Sequence, residues 1–455
     1  MKNIVLNKLN KIIERIPNER VYAIGPNVKM TYGELIICVN EFSITYDFLR
    51  NTKCALQCND RFWLAKYLPC IENIASAIFL QPNGIQKAVL DKFYQKAGIQ
   101  YVLSVSNGVI EIEKLEVDSA DFVHAEERAD IETQWLLATS GTTGTPKLLS
   151  YSLSALCATS KSDIDKGKEF VWGLCYDLNR FAGLQVYFQA VSSGSTLIIA
   201  ESNSSITETV KLFSGNGVNA MSATPSFWRK ILMSSISKDL MLKRITLGGE
   251  ISEQSILNAL KIKFPDSAIV HIYASTEAGV GFVVKDGKSG FPVDYLNSAD
   301  DSSIKMKIID EHLWIKSARG AVGTLEGALD VNPEGYVDSG DIVSVCDGRV
   351  IFLGRSSGAI NVGGSKVIPE EVESVLNSCD YVELSKVFGK ENSMLGMLVS
   401  AEVQLGSKAI GLEKKEIKSL IVAHCKEHLE PYKVPVILKF VNEISVNESG
   451  KIERK

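Results

Sequence analysis

The stretch Leu136-Leu137-Ala138-Thr139-Ser140-Gly141-Thr142-Thr143-Gly144-Thr145-Pro146-Lys147 decides how the rest of the chain is read. Trp135 to Leu137 read as the end of a buried strand, and the polar run after them as the loop it feeds. Gly141 and Gly144 allow positive φ, so consecutive N–H groups can point into one concavity and cradle an anion. The hydroxyls of Thr139, Ser140, Thr142 and Thr143 add donors, and Lys147 adds a full positive charge. A polyphosphate suits such a loop. The Walker spacing fails, because Gly144 is followed by Thr145-Pro146-Lys147 and Leu148 stands where that motif needs a magnesium-binding hydroxyl. A ligand-free Ser/Thr/Gly surface loop is the competing reading.

Working outward, short apolar runs alternate with helical ones between Lys53 and Ser106 (Phe62–Cys70, Ile74–Leu80, Tyr101–Ser104). That alternation predicts a parallel sheet with helices on both faces. The polar loop then sits at the carboxyl end of a strand, where open α/β sheets bind ligands. A second α/β unit is expected, with strands at Phe170–Leu174, Ser195–Ile199, Ala220–Ser222, Arg244–Leu247 and Ile269–Tyr273. Residues 300–353 alternate in short Val/Ile/Gly-rich runs and predict hairpins forming a small β-barrel or distorted sheet. Residues 1–20 carry apolar positions at helical spacing, which predicts an amphipathic surface helix. Thr31 and Glu34 form a capping box, so a helix should begin there. After Gly354 the character changes: glycines crowd 354–364, and Pro369 opens a helix. We therefore expect two domains, 1–353 and 354–455, the second a small α+β unit.

Composition agrees with a multidomain globular chain. The 455 residues exceed one ordinary core. With 45% hydrophobic and 23% charged residues and a net charge of −5, nothing calls for nucleic acid. Nine cysteines without a CxxC pair predict free thiols in a reducing cytoplasm. No secretory leader is visible, and the most apolar stretch, Leu68 to Leu80, contains Glu72 and Asn73 and is too short to span a bilayer.

Four further segments fall in order behind the loop: Ile272-Tyr273-Ala274-Ser275-Thr276-Glu277-Ala278-Gly279; Gly335-Tyr336-Val337-Asp338-Ser339-Gly340-Asp341; Phe352-Leu353-Gly354-Arg355 running to Glu373; and Ser449-Gly450-Lys451-Ile452-Glu453-Arg454-Lys455. Together with the loop and the segment Thr31-Tyr32-Gly33-Glu34-Leu35, they resemble the adenylate-forming (ANL) superfamily of acyl-CoA ligases, luciferases and adenylation domains. In length and in Gly183-Leu184-Gln185 the chain is most similar to the short o-succinylbenzoate–CoA ligases. The resemblance implies ATP-dependent activation of a small carboxylic acid to an acyl-adenylate with release of pyrophosphate. Transfer of the acyl group to CoA, or to the pantetheine arm of an acyl carrier protein, or to an amine, would follow.

It also implies roles. The loop, with Lys147, holds the departing phosphates. Gly248, Gly249 and Glu250 line the adenine side with Tyr273, which packs on the ring; Ala274 and Ser275 flank it. Thr276 contacts the α-phosphate, and Glu277 holds Mg²⁺, a hard cation suited to one carboxylate plus phosphates. Asp341 accepts from the ribose hydroxyls, Arg355 contacts ribose or phosphate, and Lys451 bridges the attacking carboxylate and the α-phosphate. A mobile C-terminal lid would swing between the two half-reactions.

The sequence departs from the family pattern at Ala274, Ser339, Ser357, Gly358 and Asn361, and the glycine-rich hinge is expected to be more flexible than usual. Arg180 falls where CoA ligases carry a histidine and is expected to face the acyl pocket, with Phe227 and Gly279; a surface arginine and a plain core Phe227 are the alternatives. Asp177 suggests the aspartate that grips an amino acid's α-amino group, but its spacing from Gly194 does not fit. A degenerate adenylate-binding protein is the non-catalytic alternative. His424 and His428 share a helix face, yet without HExxH or a third ligand a solvated face is expected rather than zinc.

Overall fold

The computed structural model describes residues 8–116, 132–138, 147–275, 279–297, 304–317, 323–324, 331–392, 396–445 and 452. Two sheets form the body. The first runs, edge to edge, Gly323–Thr324, Leu148–Tyr151, Gln134–Ala138, Ala77–Leu80, Lys53–Cys58, Tyr101–Ser106 and Val109–Lys114. Its four central strands are parallel and its edges antiparallel. The second runs Gly279–Val284, Ala268–Ser275, Arg244–Gly248, Ala220–Ala223, Val171–Leu174, Thr196–Ile199, Val21–Ile24 and Lys29–Thr31, again parallel inside and antiparallel at both edges. The expected second α/β unit is present, each strand within two residues of its expected bounds.

Helices Arg61–Ile74 and Phe181–Ser192 lie between the sheets, and one core of buried side chains takes residues from both (Leu56, Ile78, Tyr22, Leu174). A polar detail pins this core. Pro69 has no N–H, so the helix cannot satisfy the Ala65 carbonyl in the usual way. That carbonyl instead accepts from the Tyr22 hydroxyl at 2.7 Å, and the same hydroxyl sits 3.1 Å from Tyr187 Oη. Strand and both helices are thereby tied at one point.

The capping box is formed. Thr31 Oγ1 accepts from Glu34 N at 3.2 Å and Glu34 Oε2 accepts from Thr31 N at 2.7 Å, opening helix Tyr32–Thr45. The N-terminal helix differs from expectation. Only Leu9–Ile13 is helical among residues 8–20, and Leu9 and Ile13 are buried in the core rather than lying on the surface. Pro17 disfavours helical geometry in the residue before it, which accounts for the early stop.

Of the two forms expected for residues 300–353, a small barrel or a distorted sheet, the described residues show the second, a bent open antiparallel sheet of Phe291–Pro292, Arg349–Arg355, Val337–Cys346, His312–Ser317 and Ile304–Ile309. Its two edge strands do not pair with each other among the described residues, and register shifts between His312 and Trp314 and between Ile342 and Val343 bend it. The last sheet joins Ser365–Val367, Ile360–Val362, Gly396–Leu405, Val382–Asn392 and Ile437–Val441, covered by helices Pro369–Ser378 and Lys414–His428. It has its own core around Val372, Leu376, Val403 and Ile421.

Among the glycines crowding 354–364, Gly358, which stands in place of the usual hinge residue, lies in open space, whereas Gly354 is packed. Gly354 adopts φ +148, and a Cβ there would overlap Ile368 and Glu370. It is glycine because the following segment packs directly against it.

Candidate active site

Strand Gln134–Ala138 of the first sheet and the parallel neighbours Ala220–Ala223, Arg244–Gly248 and Ala268–Ser275 of the second carry the motif segments at or just beyond their carboxyl ends. Residues 139–146 follow the first of them. Thr139, Ser140, Gly141, Thr142, Thr143 and Gly144 lie outside the described residues, as do Thr276, Glu277 and Lys451, and so does the Ser275 side chain. Lys147 is exposed and leads into the strand Leu148–Tyr151.

Gly248 ends its strand with its carbonyl accepting from Tyr176 Oη at 3.2 Å. Gly249 turns the chain at φ +84, open without strain only to glycine. The turn delivers Glu250, whose Oε2 accepts from Ser226 N at 2.9 Å. Ser226 lies in the first turn of helix Pro225–Met233, so a carboxylate meets the positive end of a helix. Glu250 Oε1 accepts from Ile452 N at 3.2 Å. The residue after Lys451 is thus bound to the Gly-Gly-Glu turn, 202 positions away in sequence. In the same helix Trp228 is core, with Nε1 donating to Thr246 O at 3.0 Å. Phe227 is half-buried and leans on that core.

Tyr273 carries ring contacts that its motif does not announce. Its ring is stacked on Phe282 (centroids 5.3 Å, planes 9° apart) and on Phe352 (5.1 Å, 7°). At these distances parallel rings are offset, and Tyr273 keeps intermediate exposure. Strand pairing makes the first contact unavoidable, because Tyr273 and Phe282 are direct cross-strand partners. The register slips just after them, at Ala274, and Gly279 takes φ +72 to start the returning strand.

What Tyr273 does present is its hydroxyl, which donates to Asp341 Oδ2 at 2.5 Å. Burial first, and then the Asp341 charge, hold this phenol well above its ordinary pKa, so it remains a donor. Arg355, paired directly across the sheet from Asp341, donates Nε–H to Oδ1 at 3.0 Å. Asp341 is 8% exposed, so these two donors define the orientation of its carboxylate. A carboxylate offers about four acceptor positions. Two are used, and a pair of ribose hydroxyls fits the remainder. The neighbouring Asp338 is occupied by the turn, accepting from Gly340 N at 2.8 Å and facing His312 Nδ1 at 2.9 Å.

The segment 175–180 is held against helix Phe181–Ser192. A Cβ on Gly183 would overlap the Asp177 carbonyl, which explains the glycine. Arg180 Nη1 donates to Ala138 O at 3.4 Å, so this arginine stands at the foot of residues 139–146. Asp177 does not face an open pocket. Arg61 Nε and Nη2 reach its Oδ1 at 2.7 and 2.6 Å, and the two side chains are 10% and 5% exposed. Arg61 was not evident from sequence. Its nearest signal was its place at the start of a helix capped by Asp60.

Both histidines of the pair are engaged in hydrogen-bond contacts. His428 Nδ1 lies 2.9 Å from His424 O, His424 Nε2 2.9 Å from Ser378 Oγ, and no group of three potential ligands occurs among the described residues. No helix among them is long and apolar enough to cross a membrane.

The model of the AMP-binding enzyme family matches residues 74–325, and that of the AMP-binding enzyme C-terminal domain matches 371–451. The chain belongs to the AMP-binding enzymes. It is an adenylate-forming ligase with a large N-terminal part and a smaller C-terminal one. Among curated relatives, a 2-succinylbenzoate–CoA ligase of Bacillus pumilus is 26% identical over 343 residues, 71% of this chain and 68% of that protein. A D-alanine–D-alanyl carrier protein ligase of Bacillus licheniformis is 26% identical over 396 residues, 77% of this chain and 75% of that protein. Among solved structures, an anthranilate CoA ligase in complex with anthranoyl-AMP aligns with TM-score 0.76 at 16% identity, covering 98% of this chain and 95% of that one. The o-succinylbenzoate CoA synthetase of Bacillus subtilis in complex with its acyl-adenylate aligns at 0.71 and 18%, covering 98% and 96%. The enzyme therefore shares the adenylate-forming fold across nearly its whole length.

Proposed function

We propose that this enzyme activates a carboxylic acid lacking an α-amino group and passes the acyl group to the thiol of CoA. The carrying observation is the closed Arg61–Asp177 pair. An amino-acid-activating site needs a carboxylate to hold the substrate ammonium. Asp177, the candidate for that role, is neutralised from within the protein. Arg180 beside Ala138 gives the same region a positive side chain, which suits an acid with a second carboxylate or another acceptor group.

Two anions must meet in the first half-reaction, so positioning and charge neutralisation carry the catalysis. Asp341, oriented by Tyr273 and Arg355, takes the ribose. Glu277 would hold Mg²⁺, which would supply positive charge to the reacting phosphates, while Lys147 and the 139–146 N–H groups would take the departing pyrophosphate and Lys451 would neutralise the transferring centre. The Ile452–Glu250 bond supports that last role, since it brings the tail to the adenine-side turn. For the second half-reaction the acyl-adenylate gives up AMP to a thiol. Two of the relatives named above point to different acceptors, CoA and a carrier protein.

Pyrophosphate exchange across an acid panel, followed by thioester assay with and without CoA, tests the proposal. We expect exchange with aromatic or dicarboxylic acids, thioester only with CoA, and a loss of dicarboxylate preference in Arg180→Ala. Exchange with D-alanine and not with simple acids would overturn the assignment of the acid. Thioester formation on a carrier protein but not on CoA would overturn that of the acceptor.

A further inference from the structure

Helices Tyr32–Thr45 and Arg61–Ile74 pack together, and two cysteines meet at their contact. Cys38 Sγ and Cys70 Sγ lie 3.8 Å apart. Cys70 is fully buried and Cys38 half-buried, so one sulfur is reachable and the other sits behind it. Lys66, one turn before Cys70, holds its ammonium over the rings of Trp63 and Tyr67, 5.0 and 4.9 Å from their centroids. That pair of aromatic faces keeps a cation next to Cys38. The Cys70 thiol, and after it the Lys66 charge, lower the Cys38 thiol to about 7, against the opposing effect of burial. The other eight cysteines are all shifted upward, including the exposed Cys346, where Asp347 disfavours the thiolate. A reachable thiol in contact with a second thiol and beside a cation that favours its thiolate has the makings of a peroxide-sensitive pair.

We propose that Cys38 and Cys70 are a modification site, a dithiol that hydrogen peroxide converts to a disulfide linking the two helices. Cys38 thiolate attacks one peroxide oxygen, the O–O bond breaks, and hydroxide leaves; sulfur becomes sulfenic acid. Cys70 sulfur then attacks that sulfur, the S–O bond breaks, and water leaves with the Cys70 proton. Two electrons pass from the two sulfurs to the peroxide. To bond, the sulfurs must close from 3.8 Å to about 2 Å.

The full-length enzyme is treated with a small excess of hydrogen peroxide, quenched, and examined by intact mass and peptide mapping. We expect the loss of two hydrogen atoms and a crosslink between the peptides carrying Cys38 and Cys70, reversed by dithiothreitol. In Cys70→Ser, dimedone should label position 38. In Cys38→Ser, neither crosslink nor dimedone adduct should form at Cys70. Lys66→Met should slow oxidation of Cys38 several-fold while leaving Cys346 unchanged. Wild-type enzyme whose Cys38 and Cys70 stay reduced while Cys346 is oxidised would overturn the proposal. So would dimedone labelling at Cys70 in Cys38→Ser. The wild-type mapping carries the test even if a serine variant folds poorly.

Discussion

Removing Arg61 asks whether Asp177 is a structural anion or a substrate ligand. The pair is almost dry: Arg61 Nε and Nη2 sit 2.7 and 2.6 Å from Asp177 Oδ1, with the side chains 10% and 5% exposed. Asp177 Oδ2 is buried with no hydrogen-bond partner, so nothing else solvates that carboxylate if Arg61 is lost. Breaking such a pair from one side costs about 3–5 kcal/mol, because an uncompensated charge remains buried. Arg61→Met should therefore destabilise by that amount. Asp177→Asn should cost about as much, since it strands the guanidinium. The double variant removes both charges and should be far less destabilised than the sum of the singles, leaving a coupling well above the ~0.5 kcal/mol at which independent sites add. Urea unfolding of the four proteins, read at the first transition, measures the cycle. Additive effects would refute the reasoning: Asp177 would then have a second solvating environment, and an ammonium-binding role would reopen.

Lys451→Ala should abolish acid-dependent pyrophosphate exchange while nucleotide binding, measured by calorimetry, stays near wild type; unchanged exchange would remove Lys451 from the chemistry. Asp341→Ala should raise the KM for ATP more than it lowers kcat, and Tyr273→Phe, which keeps the ring stack and loses only the hydroxyl, should produce a milder form of the same split; a pure kcat defect in both would contradict a ribose role for Asp341. Glu72 supplies a pH test. Burial in helix Arg61–Ile74 raises its carboxyl to about 7 from an ordinary 4.5, opposed by Lys8 and the Leu9 N–H. The folded state thus holds a proton that the unfolded chain releases first, so its contribution is full below 4.5 and is lost as pH rises through 7. The lost stability is about 3 kcal/mol. Glu72→Gln should remove this slope, and its stability relative to wild type, from urea midpoints, should improve between pH 5 and 8; a constant difference would show that Glu72 is ionised throughout.

Much of the fold is legible because it is written in local patterns. Thr31 and Glu34 announce their helix, Pro369 opens another, and the alternation of strands and helices from Lys53 onward specifies the parallel order. For the third sheet, barrel and distorted sheet stand as open alternatives in the sequence, since closure depends on which edge strands meet and hairpin patterning reports only neighbours. The N-terminal helix was overestimated because apolar spacing continues to Ile16 while Pro17 stops the backbone. At the site, the motifs singled out Asp341, Arg355 and Glu250, and the structure joins the first two by a hydrogen bond. Arg61 could not be found, because its partner lies 116 positions away and no spacing rule connects a helix start to a loop in another sheet.

Tyr273 shows how a motif can name the right residue and leave its role open. Strand pairing sets Phe282 opposite it, and the third sheet brings Phe352 against it as well, giving three nearly parallel rings. Packing of this kind fixes a ring in plane and direction, so the hydroxyl at its end is held in one place. That place is Asp341 Oδ2. Arg355 arrives at Oδ1 from the strand that also carries Phe352, so stack and ion pair share one backbone. The carboxylate is aimed before any ribose arrives, and the cost of orienting it is met in folding rather than in binding. Gly354 lies between Phe352 and Arg355 in sequence and is itself packed against Ile368 and Glu370. The segment that holds the carboxylate is therefore the one against which the C-terminal sheet begins. Any rotation of the later residues that lifts Ile368 and Glu370 from Gly354 must work against this contact, two residues from the ring that supports Tyr273 and one from the arginine that holds Asp341.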